Sequence, residues 1–158
     1  MRNNFEHNLI KGRIAETIFE GMFRDTKKFT VLHSGYEYTE SVLAQYRSMV
    51  VMKKVLDTIS KTPDFVLITE DKQQVYLVEV KYRAEIDKKD LIDIATTISK
   101  NWNPSYIFLV SKSGFYFDSV NKIKESGDIK ELSKSWVVQE IQNKYKKLAE
   151  DWLWSHKD

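Results

Sequence analysis

The feature that most constrains the fold is the segment Thr62–Arg83, TPDFVLITEDKQQVYLVEVKYR. It contains two runs rich in apolar, β-prone residues, Asp64–Thr69 and Gln74–Lys81, separated by four polar residues. Two such runs around a short polar segment are typical of a β-hairpin. We therefore predict a tight hairpin with its turn centred near Lys72.

Pairing across this hairpin is predicted to set Asp64 opposite Val80 or Lys81. Side chains alternate along a strand with a period of two. Glu79 and Lys81 should therefore point to one face and Val78 and Val80 to the other. The hairpin would then cluster two carboxylates and an ammonium group at one end.

Two carboxylates at one strand end supply the hard oxygen ligands that Mg²⁺ and Mn²⁺ prefer. Such a cation can polarise a phosphodiester and activate a bound water as the nucleophile. Lys81 is then placed to orient that water or to offset charge on the phosphate.

This arrangement resembles the PD-(D/E)xK nuclease superfamily, with Pro63-Asp64 as the first motif element and Glu79-Val80-Lys81 as the second. The resemblance implies a restriction-endonuclease-like α/β fold with an αβββαβ core. It also implies that Asp64, Glu79 and the Val80 carbonyl hold Mg²⁺ or Mn²⁺, and that Lys81 serves the water.

The segment from about Asn8 to Arg24 is predicted to be an amphipathic helix. Its apolar arc comprises Ile10, Ile14, Ala15, Ile18, Phe19, Met22 and Phe23. Glu16 lies at the edge of that arc and Glu20 lies on the polar face. In the nuclease superfamily the first core helix often supplies one more acidic residue to the site, and the segment that ends at Glu16 resembles that element. The alternative is that Glu16 is an ordinary solvated glutamate.

The elements between the first helix and the hairpin are predicted from residues typical of turns and helix caps. A strand is expected at Phe29–Leu32 and an edge strand or hairpin at 36–39, where Glu37 is a further candidate acid. An extra helix is expected over about 41–60, and it must end before Pro63 because the residue preceding proline favours extended geometry.

A second group of elements follows the hairpin. Asp87 with Asp90 resembles a helix-capping box, and the next residues carry one apolar stripe as far as Asn103-Pro104. The run Tyr106–Val110, YIFLV, is continuously apolar, as in a buried central strand. Phe115–Phe117 is expected to add a short strand.

The whole chain of 158 residues is predicted to form one domain. Its core spans about residues 11–110: a mixed central sheet flanked by helices, with the helix at 41–60 inserted before the hairpin. Residues 111–158 form a C-terminal helical extension.

In that extension Gly127 separates a basic segment, 122–126, from a helix expected at about 135–154. The apolar stripe of this helix comprises Val137, Val138, Ile141, Tyr145, Leu148 and Trp152. Trp136 and Trp154 fall off the stripe. They are either frayed ends or the surface of a homodimer formed through this helix.

Composition narrows the remaining function classes. The chain has no cysteine, which excludes disulfides and thiolate metal sites, and its three histidines are far apart. No run reaches transmembrane length and no signal peptide is visible, so a cytoplasmic protein without membrane contact is expected. The net charge of +2 leaves only a local basic patch for nucleic acid, with Arg83, Lys88 and Lys89 as weak candidates.

These expectations combine into an Mg²⁺- or Mn²⁺-dependent nuclease, with DNA as the expected partner and endonucleolytic cleavage as the expected reaction. Asp64, Glu79, Lys81 and Glu16 are its candidate catalytic residues. The alternative is a catalytically inactive nuclease fold that binds nucleic acid or protein. A small-molecule hydrolase is disfavoured because no Gly-rich phosphate loop or nucleophile elbow is present.

Overall fold

A computed structural model of the chain describes residues 2–34 and 61–154, which form a five-stranded mixed sheet flanked by helices. Glu37 and the elements expected at 36–39 and 41–60 lie outside the described residues. In chain order the elements are α1 (Arg2–Asp25), β1 (Phe29–His33), β2 (Phe65–Thr69), β3 (Val75–Tyr82), α2 (Lys88–Ser99), β4 (Tyr106–Ser111), β5 (Gly114–Ser119), α3 (Val120–Ser126), α4 (Gln139–Ala149) and a terminal π-helical turn (Glu150–Trp154).

The strands lie in the order β1-β2-β3-β4-β5. The first three strands pair antiparallel, β4 pairs parallel with β3, and β5 returns antiparallel to β4. The parallel step requires a crossover connection, and α2 provides it. The predicted α/β class and mixed central sheet are thus confirmed.

The β2–β3 hairpin forms where it was predicted, but its register differs by one residue or more. Phe65 pairs with Val78, and continuing this register sets Asp64 opposite Glu79 instead of Val80 or Lys81. The reason is the turn: Thr69 N donates to Gln74 O at 3.0 Å, which closes a four-residue loop. Its centre therefore lies half a residue or more before the predicted one.

One face of the sheet packs on α1 through a phenylalanine cluster. The ring centroid of Phe19 lies 4.9 Å from that of Phe65 and 5.1 Å from that of Phe108. Val78 and Val80 are buried in the same core, as the alternation in β3 predicts. Burial of this aromatic and aliphatic surface anchors α1 across β2, β3 and β4.

The opposite face packs on α2 and α3 through Leu91, Ala95, Ile107, Leu109, Val120 and Ile123. The predicted cap of α2 is confirmed, since the Asp87 carboxylate accepts from Asp90 N at 2.8 Å. Helix α3 was missed, because a short basic segment carries little apolar periodicity. Its ends are nevertheless specified by Ser119 as the N-cap and by Gly127, whose φ of 71° is left-handed.

Helix α1 begins six residues before the predicted start at Asn8. Residues 4–10 are exposed, and Ile10, which was assigned to the buried arc, is 56% exposed. This first part of the helix extends beyond the surface that the sheet offers. Apolar periodicity therefore placed the packed part of α1 correctly and could not locate its unpacked end.

The C-terminal extension corrects several expectations. α4 begins at Gln139 instead of Ser135, because Trp136 N and Val137 N both donate to Ser133 O in a preceding turn. Val138, Leu148 and Trp152 were assigned to the buried stripe but are exposed at 45%, 39% and 66%. The stripe was misplaced because the chain is not one continuous helix here.

The two tryptophans expected at frayed ends or at a dimer surface pack against the core instead. Trp136 contacts aromatic rings from four strands: Phe29, Tyr76, Tyr106 and Phe117, with centroid distances between 4.9 and 6.2 Å. These contacts fix the turn that precedes α4. Self-association through the C-terminal helix remains a prediction, but Trp152 is now its exposed aromatic residue.

Both outer strands of the sheet have backbone groups satisfied by neighbouring segments. Residues 130–132 run along β5, where Phe117 N donates to Lys130 O at 2.8 Å and Leu132 N donates to Phe115 O at 3.0 Å. On β1, Val31 O accepts from the guanidinium of Arg24 at 3.0 Å. Within the described ranges, no helix is long and apolar enough to cross a membrane.

Candidate functional site

Asp64 lies immediately before β2, where its backbone is held by Ser34. Ser34 N donates to Asp64 O at 3.0 Å, and Ser34 Oγ donates to Pro63 O at 2.6 Å. Pro63 itself is buried. The peptide that carries Asp64 is thus fixed from the β1 side, which limits the directions in which its carboxylate can point.

The Asp64 carboxylate points across the hairpin to β3. Its Oδ2 accepts from Val80 N at 2.8 Å. Burial and the negative charges of Glu79 and Glu16 raise the pKa of Asp64 to about 7, although the Val80 hydrogen bond and the Lys81 charge act in the opposite direction. The site therefore holds a carboxyl group whose charge is only partly compensated.

Glu79 and Lys81 project on the same face of β3 and form an ion pair. Lys81 Nζ lies 2.5 Å from Glu79 Oε1, and the two side chains are 32% and 16% exposed. Burial alone would lower the pKa of Lys81, but the charge and hydrogen bond of Glu79 and the charge of Asp64 raise it. The ammonium group is therefore held in place by the two acids beside it.

Glu16, on α1, lies near enough for its charge to act on Asp64. Its Oε2 lies 3.3 Å from Arg13 Nη1. Glu20, one turn further along, is bound by Arg24 at 3.0 Å and by His33 Nε2 at 2.9 Å. The two glutamates are equally exposed, at 29% and 27%, so their partners distinguish them.

The weak candidates for nucleic-acid contact have other neighbours. Arg83 Nε lies 2.6 Å from Asp90 Oδ2, so an acid already compensates its charge. The aliphatic stem of Lys88 lies over Gly127, so close that a Cβ there would be 2.4 Å from Lys88 Cγ. Lys89 is exposed on the first turn of α2. The structure thus brings Asp64, Glu79 and Lys81 together, with Glu16 near enough for its charge to act on Asp64. Arg83, Lys88 and Lys89 are not part of this group.

Sequence reasoning missed Ser34, which holds the Asp64 peptide, and His33, which lies at the same end of the sheet. Ser34 belongs to no motif of the sequence, and His33 is one of three histidines that are far apart along it. His33 instead binds Glu20 and lies 4.7 Å from the ring of Phe65. Only the pairing of β1 with β2, which sets His33 opposite Phe65, brings these residues to the Asp64 end of the sheet, so no local pattern could have found them.

The donor set suits a hard divalent cation. Asp64 and Glu79 supply carboxylate oxygens. The raised pKa of Asp64 reflects first its burial and then the negative charge of Glu79, which a cation would offset. Within residues 2–34 and 61–154, no three acidic or histidine side chains form a complete metal-binding group. Two carboxylates fill only part of the coordination shell of a hard cation, and Mg²⁺ commonly completes such a shell with water.

Comparison with known proteins does not assign a family or a function to this group of residues. No family model matches the chain, and no curated protein sequence is significantly similar to it.

Proposed function

We propose that the protein is a metal-dependent nuclease that hydrolyses phosphodiester bonds, with DNA as its substrate and internal cleavage as its reaction. One observation carries the proposal: the Asp64 carboxylate, bound by Val80 N, is grouped with Glu79, Lys81 and the charge of Glu16. This is the residue set that the resemblance to the PD-(D/E)xK superfamily implies.

The order of elements also supports the proposal. A helix, three antiparallel strands, a crossover helix and a strand parallel to the third follow the αβββαβ order expected of a restriction-endonuclease-like core. In this order the acid before β2 and the acid within β3 are adjacent across one hairpin. The fold alone would not indicate an activity, so the argument rests on the side chains.

Asp64 and Glu79 are the residues that would hold Mg²⁺ or Mn²⁺, beside the backbone of Val80 and with Glu16 as an auxiliary acid. When bound, such a cation polarises a phosphodiester and lowers the pKa of a coordinated water. Val80 N–H orients the Asp64 carboxylate, and Ser34 fixes the peptide behind it.

Lys81 contributes a positive charge and up to three hydrogen-bond donors. Its pairing with Glu79 holds the ammonium group next to the acids. A phosphate that enters this site would meet that ammonium group, which can bind a phosphate oxygen and offset the charge that develops during in-line attack. Lys81 would thus position the phosphate and offset its negative charge, while the acids would hold the cation.

The direct test is a cleavage assay with linear duplex, single-stranded and branched DNA and with RNA, each in Mg²⁺, in Mn²⁺ and in a chelator. Asp64→Asn and Glu79→Gln are expected to lose metal-dependent cleavage. Asp93→Asn, an exposed aspartate on α2, is the matched control and should cleave as wild type does.

Calorimetric titration with Mn²⁺ provides the second measurement. Wild type should bind the cation, and Asp64→Asn should bind it more weakly. If nucleic acid binds equally with and without the cation and no product forms, the inactive binding module replaces the nuclease. If Mn²⁺ binding is unchanged in both acid variants, the assigned ligands are wrong.

A further inference from the structure

The β2–β3 ladder departs from regular pairing where it reaches the candidate site. Thr69 N donates to Gln74 O at 3.0 Å, so these two residues form a hydrogen-bonded pair. Hydrogen-bonded pairs recur at every second position of an antiparallel ladder. Following every second pair along the observed register, from the turn toward the acids, leads to Pro63 and Val80. In a regular ladder Val80 N would therefore donate to Pro63 O.

Neither hydrogen bond of this pair forms among the residues that the structure describes. Pro63 has no N–H group, so it cannot donate to Val80 O. Val80 N donates to Asp64 Oδ2 at 2.8 Å and not to a backbone carbonyl. The Asp64 carboxylate thus occupies the place that a main-chain acceptor would occupy in a regular ladder.

The Pro63 carbonyl is held on the other side of β2, by Ser34. Ser34 Oγ donates to Pro63 O at 2.6 Å, and Ser34 N donates to Asp64 O at 3.0 Å. Successive carbonyl groups of a regular strand point to opposite neighbours, whereas these two are both bound by the residue that follows β1. The Ser34 hydroxyl therefore turns the Pro63 carbonyl away from β3.

We propose that Ser34 is a positioning residue for the Asp64 carboxylate. Its hydroxyl keeps the Pro63 carbonyl away from Val80 N, which leaves that N–H group to the carboxylate. Without the hydroxyl, the Pro63 carbonyl can turn toward β3 and form the backbone hydrogen bond instead. Asp64 would then lose the contact that directs it toward Glu79. The proposal rests on the proposed function only where it concerns the metal.

The proposal predicts a combination of effects that a purely structural residue would not show. Ser34→Ala loses one hydrogen bond but allows a backbone hydrogen bond to form, so its Tm should stay within about 2 °C of wild type. Its affinity for Mn²⁺ should fall about tenfold, as is usual when a group that orients a metal ligand is removed. Calorimetric titration and thermal unfolding measure the two quantities separately.

The hydrogen bond itself can be observed in chelator, without metal or substrate. In isotope-labelled protein, the nuclear magnetic resonance coupling across a hydrogen bond identifies the acceptor of the Val80 N–H group. In wild type the coupling should lead to the carboxylate carbon of Asp64, and in Ser34→Ala it should lead to the carbonyl carbon of Pro63. Ser34→Thr keeps the hydroxyl, so it should show the wild-type coupling and the wild-type affinity for Mn²⁺.

Ser105→Ala is the matched control. Ser105 Oγ donates to Trp102 O, also at 2.6 Å, and Ser105 precedes β4, so β3 lies between it and Asp64. Its replacement removes the same kind of hydrogen bond away from the acids. Ser105→Ala should lower the Tm by roughly 2–4 °C and leave both the Mn²⁺ affinity and the coupling of Val80 unchanged.

Three results would each overturn the proposal. They are a coupling from Val80 N to the Pro63 carbonyl in wild type, an unchanged acceptor in Ser34→Ala, and an equal loss of Mn²⁺ affinity in Ser34→Ala and Ser105→Ala. The coupling needs no metal, so it tests the role of Ser34 even if no substrate is cleaved. Loss of cleavage in Asp64→Asn together with an unchanged acceptor in Ser34→Ala would support the nuclease and refute the role of Ser34.

Discussion

Replacement of Asp64 by Asn should stabilise the metal-free protein at alkaline pH. The raised pKa of Asp64 means that the folded state binds this proton more tightly than the unfolded state does. Ionised Asp64 therefore destabilises the fold above a pH of about 7, and the effect fades as the pH falls toward 3.8. Asn keeps the shape and still offers an oxygen to Val80 N, so the substitution removes mainly the charge.

The magnitude follows from the two pKa values. A difference between about 7 and 3.8, at ~1.4 kcal/mol for each tenfold change in proton affinity, gives about 4 kcal/mol above neutral pH. For a chain of 158 residues, 1 kcal/mol moves the melting temperature by roughly 2–4 °C. Asp64→Asn should therefore raise the Tm by about 10 °C at alkaline pH.

The assay is thermal and urea unfolding, followed by circular dichroism, in chelator at about pH 8.5 and at about pH 5. The stabilisation should be large at the higher pH and much smaller at the lower one. The control Asp93→Asn, at an exposed position, should change neither transition. A lower Tm for Asp64→Asn at alkaline pH, or an equal shift of Tm at both pH values, would refute the argument that burial and the charge of Glu79 raise the pKa of Asp64.

Four further predictions concern the candidate site and the packing of α4. Lys81→Ala should retain Mn²⁺ affinity by calorimetry while single-turnover cleavage slows by roughly 100-fold or more; equal loss of both would show that its role is misassigned. Glu16→Gln should slow cleavage more than Glu20→Gln at unchanged Tm, and the reverse order would place the auxiliary acid elsewhere. The hydroxyl of Tyr145 donates to the carboxylate of Asp25 at 2.8 Å. Burial and this hydrogen bond raise the pKa of Tyr145 to about 12. The hydroxyl therefore adds to the free energy of unfolding below pH 10, and this contribution is lost as the pH rises through about 12. Tyr145→Phe should be less stable than wild type by ~1 kcal/mol at neutral pH, and its stability should fall less between pH 10 and 12. A Cβ at Gly21 would lie 2.6 Å from the same hydroxyl, so Gly21→Ala should destabilise wild type more than it destabilises Tyr145→Phe, as a double-mutant cycle of urea midpoints can show.

Local patterns predicted the parts of the fold that local physics determines. The hairpin, the Asp87 cap and the apolar strand at Tyr106–Val110 were all visible, because alternation, capping and continuous burial act over a few neighbouring residues. The grouping of Asp64 with Glu79 followed from the same alternation, and it survived the error in register. It did so because the observed register sets Asp64 directly opposite Glu79, and opposed residues of an antiparallel pair have their side chains on the same face.

The errors occurred where distant segments determine the outcome. Trp152 was assigned to a buried face, but the position of α4 depends on the turn at Ser133 and on Trp136 packing across four strands. Likewise, Glu20 and His33 meet only because β1 pairs with β2. No window of sequence contains such information.

The coverage of the outer strands has a consequence for how the protein behaves at high concentration. An outer strand with unpaired N–H and C=O groups is a template on which another chain can add a strand and begin aggregation. Here residues 130–132 occupy part of that template on β5, and the Arg24 guanidinium occupies Val31 O on β1. Loss of Arg24 would leave Val31 O without this donor, and we expect an added strand from another chain to be able to use it. Among the described residues, Arg24 therefore acts on intermolecular pairing as well as on the packing of α1 beside β1.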